Sequence, residues 1–185
     1  MKSITDDDLV SELWAWDVRF LMGESFTDTP ILSPKIFLQL LAQSPEARIR
    51  LSLIPLLLRH PDFANEAEMV DNEILDPDAK LVFRFYYTAS MLLQQMHKEI
   101  LSRFLGNQMK IPDLFSKKLG INLPQNPHLA IINLSEHHKI LSEQKINWLG
   151  TYQHATDVWL KQLKYSNIPL SERNNWRQHE SHPKN

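Results

Sequence analysis

The chain carries a repeated pair of residues that strongly constrains its fold: a helix-capping residue followed directly by proline. The pair occurs at Ser33-Pro34, Ser44-Pro45, Asp76-Pro77 and Asn126-Pro127. A capping side chain accepts a hydrogen bond from an amide of the first helical turn, and proline at the first helical position has no amide to leave unpaired. Each pair therefore predicts the start of a helix.

The composition favours the same conclusion. Eleven prolines stand against four glycines, whereas tight β-hairpins and phosphate-binding loops both use glycine. With 43% hydrophobic and 23% charged residues, the 185-residue chain has enough apolar side chains for a core and the length of one domain. The absence of cysteine excludes disulfides, cysteine-bound metals and a thiol nucleophile.

We predict an all-α, single-domain bundle of about seven helices over residues 1–165. A polar tail over residues 166–185 is expected to be either loosely held or bound to a partner. The longest helix, over about residues 77–105, has apolar residues around most of its circumference and is expected to lie at the centre of the fold.

The remaining helices follow from the capping pairs and from apolar residues spaced three and four apart. Pro55 is expected to kink or divide one of them. Residues 62–75 fit either a modest helix or a solvated connection. The other predicted helices cover about residues 6–22, 34–42, 45–59, 112–119, 127–141 and 146–165.

The two halves of the chain carry opposite charge. Residues 1–79 contain fifteen acidic and six basic residues, whereas residues 80–185 contain seven acidic and fourteen basic residues. Because the basic residues are spread out, we expect the halves to neutralise each other within the fold. The alternative is a basic surface that meets an acidic partner or a nucleic acid.

The sequence shows no targeting or membrane-spanning pattern. The first eight residues are acidic where a signal peptide is basic, and the longest apolar stretch, Leu51–Leu58, is much shorter than the roughly 18 residues of a membrane span. We therefore expect a cytoplasmic protein that makes no membrane contact.

Histidine is the residue type with the most catalytic potential, with eight copies. The cluster Glu136-His137-His138 fits a metal site poorly because adjacent helical residues point roughly 100° apart. His154 and Asp157 would have to complete it. The sequence also lacks a Gly-x-Ser-x-Gly elbow and the Glu-x-x-His pairs of di-iron bundles. We expect neither a metal nor a cofactor.

Five side chains are candidate contacts with a partner protein. Arg59 and His60 end a predicted helix, where they either cap its last carbonyls or face RNA or an anionic partner. Arg84 lies on the narrow polar line of the long helix. Trp14 and Trp176 lie near the two ends of the chain, where an exposed tryptophan would anchor an interface.

The tail contains two arginine–histidine pairs. Five residues separate Arg173 from His179, and four separate Arg177 from His182. This spacing resembles the Arg-x(4–6)-His signature of HEPN ribonucleases, helical toxins in which both side chains face the RNA backbone. The resemblance implies that these four side chains would be catalytic.

A second resemblance spans about residues 45–165. The chain is similar to a group of uncharacterised bacterial α-helical proteins that are encoded next to minimal nucleotidyltransferases. What the resemblance implies is a protein partner, since its motifs have no assigned chemical role. The motifs are Leu56-Leu57-Leu58-Arg59-His60-Pro61, Tyr86-Tyr87-Thr88-Ala89, Pro112-Asp113-Leu114-Phe115, Leu119-Gly120, Asn147-Trp148 and Tyr152.

The leading hypothesis is a non-enzymatic helical protein that binds another protein, and the resemblance implies a small nucleotidyltransferase in a toxin–antitoxin or defence module. The first alternative is a metal-independent ribonuclease of the HEPN type, which would act on RNA. The second is a helical protein that binds nucleic acid through its basic half. A homo-oligomer is compatible with each of these.

Overall fold

The chain folds into α-helices, and residues 4–167 are the part that the computed structural model describes. The predicted all-α bundle is confirmed, and these residues contain no β-strand. A 3₁₀ helix over Pro61–Glu66 joins two of the α-helices. The α-helices are α1 (Asp6–Ala15), α2 (Pro34–Gln43), α3 (Ala47–Leu51), α4 (Leu53–Arg59), α5 (Ala67–Glu73), α6 (Pro77–Met96), α7 (Lys98–Leu105), α8 (Pro127–Ser142) and α9 (Trp148–Ser166).

Three of the four capping pairs start a helix as predicted. The side chains of Ser33, Asp76 and Asn126 each accept a hydrogen bond from an amide of the helix that follows. The Ser44-Pro45 pair behaves differently, because α3 begins only at Ala47 and the Ser44 side chain accepts instead from the amide just before that helix.

Helix α6 forms the centre of the fold. It packs most extensively against α4 and α8, and it also touches α2, α3, α5 and α9. A helix that is apolar around most of its circumference is stable only when neighbours cover it on several sides, which is the arrangement seen here. Its fully buried aromatic side chains are Phe83, Phe85 and Tyr87.

The predicted helix over residues 77–105 is not continuous. Helix α6 ends at Met96, and His97 takes φ −104° and ψ 17° before α7 begins at Lys98. Residues 78–105 contain neither glycine nor proline, so no local sequence signal marks this interruption.

The predicted helix over residues 45–59 is divided, although not at Pro55 itself. The break lies at Ser52, between α3 and α4. Proline has no amide to donate to the carbonyl four residues earlier, and its ring clashes with that carbonyl, which belongs to Leu51. The helix is therefore interrupted one turn before the proline.

The predicted first helix is too long by about seven residues. Helix α1 ends at Ala15, and Asp17 takes a left-handed conformation with φ 56°. A left-handed residue cannot continue a right-handed helix. Asp17 also accepts a hydrogen bond from Arg59 at 2.7 Å, which holds the turned chain against the end of α4.

The predicted helix over residues 112–119 is wrong. This segment forms a single turn, in which the Asp113 carboxylate accepts from the Ser116 amide and Gly120 closes the turn at φ 70°. The apolar spacing that suggested a helix serves another purpose, since Phe115 and Leu119 both enter the core. By contrast, residues 62–75, for which the sequence left two alternatives, are mostly helical.

The connection between α7 and α8 is held to α6 by a buried glutamine. The Gln94 amide nitrogen donates to the Met109 carbonyl at 2.9 Å, and the Gln94 amide oxygen accepts from the Ile111 amide at 2.9 Å. The Tyr87 hydroxyl donates to the Pro112 carbonyl at 3.1 Å. These bonds satisfy backbone groups that no helix pairs.

Replacing Gln94 by alanine should destabilise the fold by about 2–4 kcal/mol, because the buried Ile111 amide and Met109 carbonyl both lose their partner. Urea unfolding followed by circular dichroism measures the change. Gln95→Ala is the matched control, since Gln95 is the exposed neighbour, and it should change the stability by less than about 0.5 kcal/mol. Equal effects of the two substitutions would contradict this role.

Candidate functional site

The inner face of α8 carries a fully buried histidine inside an aromatic cluster. The His138 ring is stacked on Phe85 with centroids 4.0 Å apart and planes 4° apart. On its other face it stacks on Trp148, at 3.6 Å and 13°. The rings of Tyr86 and Tyr152 complete the cluster. His138 is 0% exposed, so both faces of its ring are covered by carbon.

Burial keeps the His138 ring neutral. It lowers the pKa of His138 to about 3, because a protonated ring would lose its hydration inside the aromatic cluster. The same burial raises the pKa of Tyr152 well above its usual value. Neither side chain therefore carries a charge at neutral pH.

A hydrogen bond between the two side chains fixes the tautomer of the ring. The Tyr152 hydroxyl lies 2.6 Å from His138 Nδ1 and meets no other hydrogen-bond partner within residues 4–167. If Nδ1 donated, the buried tyrosine proton would have no acceptor, whereas donation from Tyr152 satisfies it. The assignment that pairs more groups therefore places the ring proton on Nε2.

Two buried N–H groups of this stack have no acceptor. His138 Nε2 and Trp148 Nε1 each expose less than 1 Å² and make no hydrogen bond in the described part of the chain. Leaving a buried donor unpaired costs about 1–3 kcal/mol. Three further buried side-chain atoms are also unpaired in the described residues: Trp16 Nε1, Arg59 Nε and Asn133 Oδ1.

Both residues belong to the lining of a surface cavity with a volume of about 570 Å³. We call it the His138 cavity. Its walls come from the segment between α2 and α3, the first turns of α6, and the junction of α8 with α9. That volume is in the range of small-molecule sites. Its apolar wall is formed by Leu81, Val82 and Leu141.

Arg50 is the cationic group of the cavity. Its Nη1 donates to the carbonyls of Ser44 at 2.6 Å and Pro45 at 2.8 Å, and these bonds orient the guanidinium. Among residues 4–167, Arg50 forms no ion pair with a carboxylate. Its charge is felt at Tyr86, although burial dominates there and raises the pKa of that hydroxyl to about 12.

The other titratable residues of the cavity are acidic. Asp76, Asp78 and Glu143 belong to its lining and all three are exposed. The Asp76 carboxylate is partly used as the N-cap of α6. Glu143 ends α8 in a left-handed conformation at φ 55°. The cavity therefore combines N–H donors with a larger number of carboxylates.

The metal hypothesis for Glu136-His137-His138 finds no geometric support in the described residues. No three histidine, aspartate or glutamate side chains meet there in a way that would hold a metal ion. His138 points into the aromatic cluster, whereas the His137 Nδ1 lies 2.9 Å from the Asn133 carbonyl of its own helix. The two rings diverge, as expected for adjacent helical residues.

Arg59 and His60 both connect the end of α4 to the end of α1. Arg59 donates to Asp17, and His60 Nε2 lies 2.6 Å from the Trp16 carbonyl. The His60 ring also stacks on Phe63. Burial lowers the pKa of His60. These contacts are structural, and a role of the pair towards a partner stays a prediction.

Arg84 forms the most buried ion pair among the described residues. Its guanidinium donates to both carboxylate oxygens of Asp71, at 2.7 and 3.1 Å, and Lys118 donates to the same carboxylate at 3.0 Å. Burial raises the pKa of Asp71, but these hydrogen bonds outweigh it and the pKa is lowered. An acid of the first half of the chain here neutralises two bases of the second half.

Of the two candidate tryptophans, Trp14 lies in the described part of the chain and Trp176 does not. Trp14 is half-buried, donates from Nε1 to the Leu21 carbonyl at 3.0 Å and lies beneath the Arg19 guanidinium. Trp176 lies outside the described residues. So do the four ribonuclease candidates, Arg173, Arg177, His179 and His182, and their role stays a prediction.

A second apolar surface lies on the outer side of α8. Leu129, Ile132 and Ile140 are 57%, 46% and 69% exposed, and we call them the α8 outer face. Next to it is a groove of about 520 Å³, the α8–α9 groove, whose lining includes Ile132 and Ile146 together with Lys139 and Lys145.

The sequence did not identify the His138 cavity. The sequence predicts a role for His138 only within the Glu136-His137-His138 metal hypothesis. The signal for its burial is that it shares one side of α8 with Ile131 and Leu134, while Trp148 and Tyr152 lie one turn apart on α9. Periodicity can place a histidine in a core, but it cannot show which aromatic rings will stack on it.

Comparisons with known proteins identify no family for this chain. Neither a scan against protein-family models nor searches of curated proteins and of solved structures find a match for this chain. The resemblance to proteins encoded beside nucleotidyltransferases therefore stays a prediction. Within residues 4–167, no helix has the length and apolar character required to cross a membrane.

The neutral His138 makes the stability depend on pH. Its folded pKa is about 3, below the ordinary 6.5, so the unfolded chain binds more protons between these values. The contribution of the neutral ring to the free energy of unfolding should be fully present above about pH 7. Between pH 6 and 4, the free energy of unfolding should fall by up to about 1.4 kcal/mol per pH unit. Urea unfolding across this range measures the slope.

A His138→Phe variant should lose the part of this slope that His138 contributes, since phenylalanine binds no proton. His60 and His97 should keep their smaller parts, because burial lowers the pKa of each of them too. His154→Gln is the matched control, because His154 is exposed on α9 and its loss should leave the slope unchanged. NMR titration of the wild-type ring gives a direct check. An imidazole of His138 that titrates near pH 6.5 would contradict the assignment.

Proposed function

We propose that this chain is a non-enzymatic, cytoplasmic helical protein that binds another protein through the α8 outer face. The observation that carries this proposal is the double apolar character of α8. The inner face of the helix buries Ala130, Ile131 and Leu134 in the core, and a second apolar face remains exposed. A helix that is apolar on opposite sides is normally covered on both.

The spacing of the exposed residues supports docking of a partner. Leu129 and Ile132 are three residues apart, and Ile140 follows eight residues later, so the three side chains lie along one side of α8. The face continues into the α8–α9 groove through Ile146, which is 41% exposed. Large exposed apolar side chains that share one side of a helix are typical of interaction sites.

The charges of the groove indicate what kind of partner fits. Lys139 and Lys145 line it with a single acid, Glu136. Neither lysine forms an ion pair within the described residues. The occupant that we propose is an amphipathic helix of a different protein, with an apolar stripe for the α8 outer face and acidic residues beside it.

We further propose that this partner is a small nucleotidyltransferase, and that the two form a toxin–antitoxin or defence pair. This step rests on the sequence resemblance over residues 45–165. It is separable from the first, because the α8 outer face would serve any partner with the stated chemistry.

Ile132→Glu and Ile140→Glu should each weaken the complex at least tenfold, because each places a charge in an apolar contact. The full chain is purified from its native host with its bound protein, which is identified by mass spectrometry. The two purified chains are then titrated against each other by calorimetry. Met22→Glu is the control, since Met22 is 96% exposed and lies outside α8.

Unchanged affinity in both α8 variants would overturn the docking proposal, and so would a chain that purifies as a monomer without a partner. Self-association that the α8 variants abolish would replace the proposed partner by a second copy. A bound protein of another class would overturn the nucleotidyltransferase step alone.

A further inference from the structure

We propose that the C-terminal segment of this chain, residues 168–185, docks into an apolar groove beside α1, with Trp176 as its anchor. The groove, which we call the α1 groove, has a volume of about 270 Å³. It lies between the N-terminal half of α1 and the segment that leads to α2, and none of its lining belongs to α8. Its apolar lining is formed by Ile4, Phe26, Ile31 and Leu32.

Buried hydrogen bonds hold the apolar side chains of the α1 groove at the surface. Ser11 Oγ accepts from the Phe26 amide at 2.7 Å. The Glu12 carboxylate accepts from the amides of Ile31 and Leu32, at 2.9 and 2.8 Å. Because Ser11 and Glu12 are both buried, these bonds fix the backbone, yet Phe26 and Ile31 remain 64% and 71% exposed. A preformed apolar surface loses little conformational freedom when a side chain docks on it.

The surroundings of the α1 groove are acidic. Residues 4–34 contain seven acidic side chains and a single basic one, Arg19, which pairs with Asp17 beyond the end of α1. Asp7 and Asp28 are exposed, and each is next in sequence to a residue of the lining. Neither forms an ion pair within residues 4–167. An apolar side chain flanked by cations therefore fits this groove.

The C-terminal segment has this chemistry. Trp176 lies between Arg173 and Arg177, and residues 173–179 contain no acid. Tryptophan and arginine are the side chains that most often dominate the energy of an interface. The indole would bury its area on the apolar lining, and the two guanidinium groups would pair with the carboxylates beside it.

The chain leaves α9 within reach of the α1 groove. Asn167, the last described residue, lines the same cavity as Asp17 and Arg19, just beyond the end of α1. The groove lies about 10 Å back along α1 at 1.5 Å per residue, and a helix is roughly 10–12 Å across. The nine residues from 168 to 176 span about 30 Å when extended. Trp176 can therefore reach the groove along or around α1.

Charge distinguishes the α1 groove from the other exposed apolar surface. Lys139 and Lys145 border the α8 outer face and would repel Arg173 and Arg177. The contact with the α1 groove need not be strong, because the segment is tethered to the same chain. At an effective concentration of about 1 mM, a contact with a dissociation constant of about 0.1 mM is about nine-tenths occupied.

The chain contains no cysteine, so a spin label can be placed at one chosen position. Gln178→Cys carries a nitroxide two residues after Trp176 in the full chain, and ¹H–¹⁵N NMR spectra are recorded before and after the nitroxide is reduced. We expect the amide signals of Phe26 and Ile31 to lose at least about half of their intensity, because the docked form predominates. The amide signal of Ile140 on the α8 outer face should lose little.

Substitutions on both sides of the contact test its chemistry. Trp176→Ala and Ile31→Glu should each reduce the signal loss at Phe26 at least about threefold. Met22→Glu is the matched control for the groove, because Met22 is 96% exposed in the same segment and does not line the groove. Asn175→Ala is the control within the C-terminal segment. Both controls should retain the signal loss.

The ionic part of the contact is tested separately. Replacing Arg173 and Arg177 together by glutamine should reduce the signal loss at the α1 groove, and so should about 0.5 M sodium chloride, which screens exposed charges. A mixed sample, in which the nitroxide and the ¹⁵N label are on different copies, should show no loss at Phe26, because the proposed contact forms within one chain.

The proposal is overturned if Phe26 and Ile31 keep their signals in the labelled chain, or if Ile31→Glu and Met22→Glu behave alike. It is also overturned if the double arginine variant retains the full loss, if the loss lies on the α8 outer face, or if the mixed sample shows it. Ile140→Glu should leave the signal loss at the α1 groove unchanged, so this proposal and the protein-docking proposal fail separately.

Discussion

The burial of α6 between α4 and α8 is the constraint on which the rest of the structure depends. Fully burying one large apolar side chain contributes about 1.5–3 kcal/mol, and α6 buries several on more than one side. Helices with apolar faces can cover it only if they approach from different directions. The order of the bundle follows from this requirement, since α4, α8 and α9 all pack around the same helix or each other.

Polar side chains then fix the segments that the apolar core does not order. Gln94 holds the α7–α8 connection, and Glu12 does the same for the α1–α2 connection by accepting from the amides of Ile31 and Leu32. Both side chains are buried and both are paired with backbone groups. The ion pair between the Asp71 carboxylate and the Arg84 guanidinium joins α5 to α6. These buried polar groups are satisfied. The buried side-chain atoms without a partner within residues 4–167 are Trp16 Nε1, Arg59 Nε, Asn133 Oδ1, His138 Nε2 and Trp148 Nε1.

The α8 outer face and the His138 cavity share one helix and differ in physical character. The α8 outer face is open, apolar and bordered by lysines, which suits a large partner that buries area. The His138 cavity is concave, with charged groups of both signs, which suits a small ligand. Trp148 is part of the lining of both the cavity and the α8–α9 groove.

Local chemistry by itself determined most of the helices. Capping side chains and prolines act on the nearest amides, so Ser33, Asp76 and Asn126 mark helix starts without reference to the rest of the chain. Apolar spacing likewise predicted the central position of α6. The interruption at His97 has no such local cause, and the turn at Phe115 follows from burial of side chains far apart in sequence, so neither could be read from spacing.

The candidate site was decided by tertiary structure. The sequence predicted that His138 lies on a helix over about residues 127–141 and that Trp148 lies near the start of an amphipathic helix over about residues 146–165, because periodicity and caps depend on neighbours within a few residues. Only the packing of α6, α8 and α9 decided that Phe85 and Trp148 would enclose the histidine, that its ring would stay neutral and that Arg50 would face the same cavity. Burial and the pairing of distant donors are properties of the whole fold, and no short-range pattern specifies them.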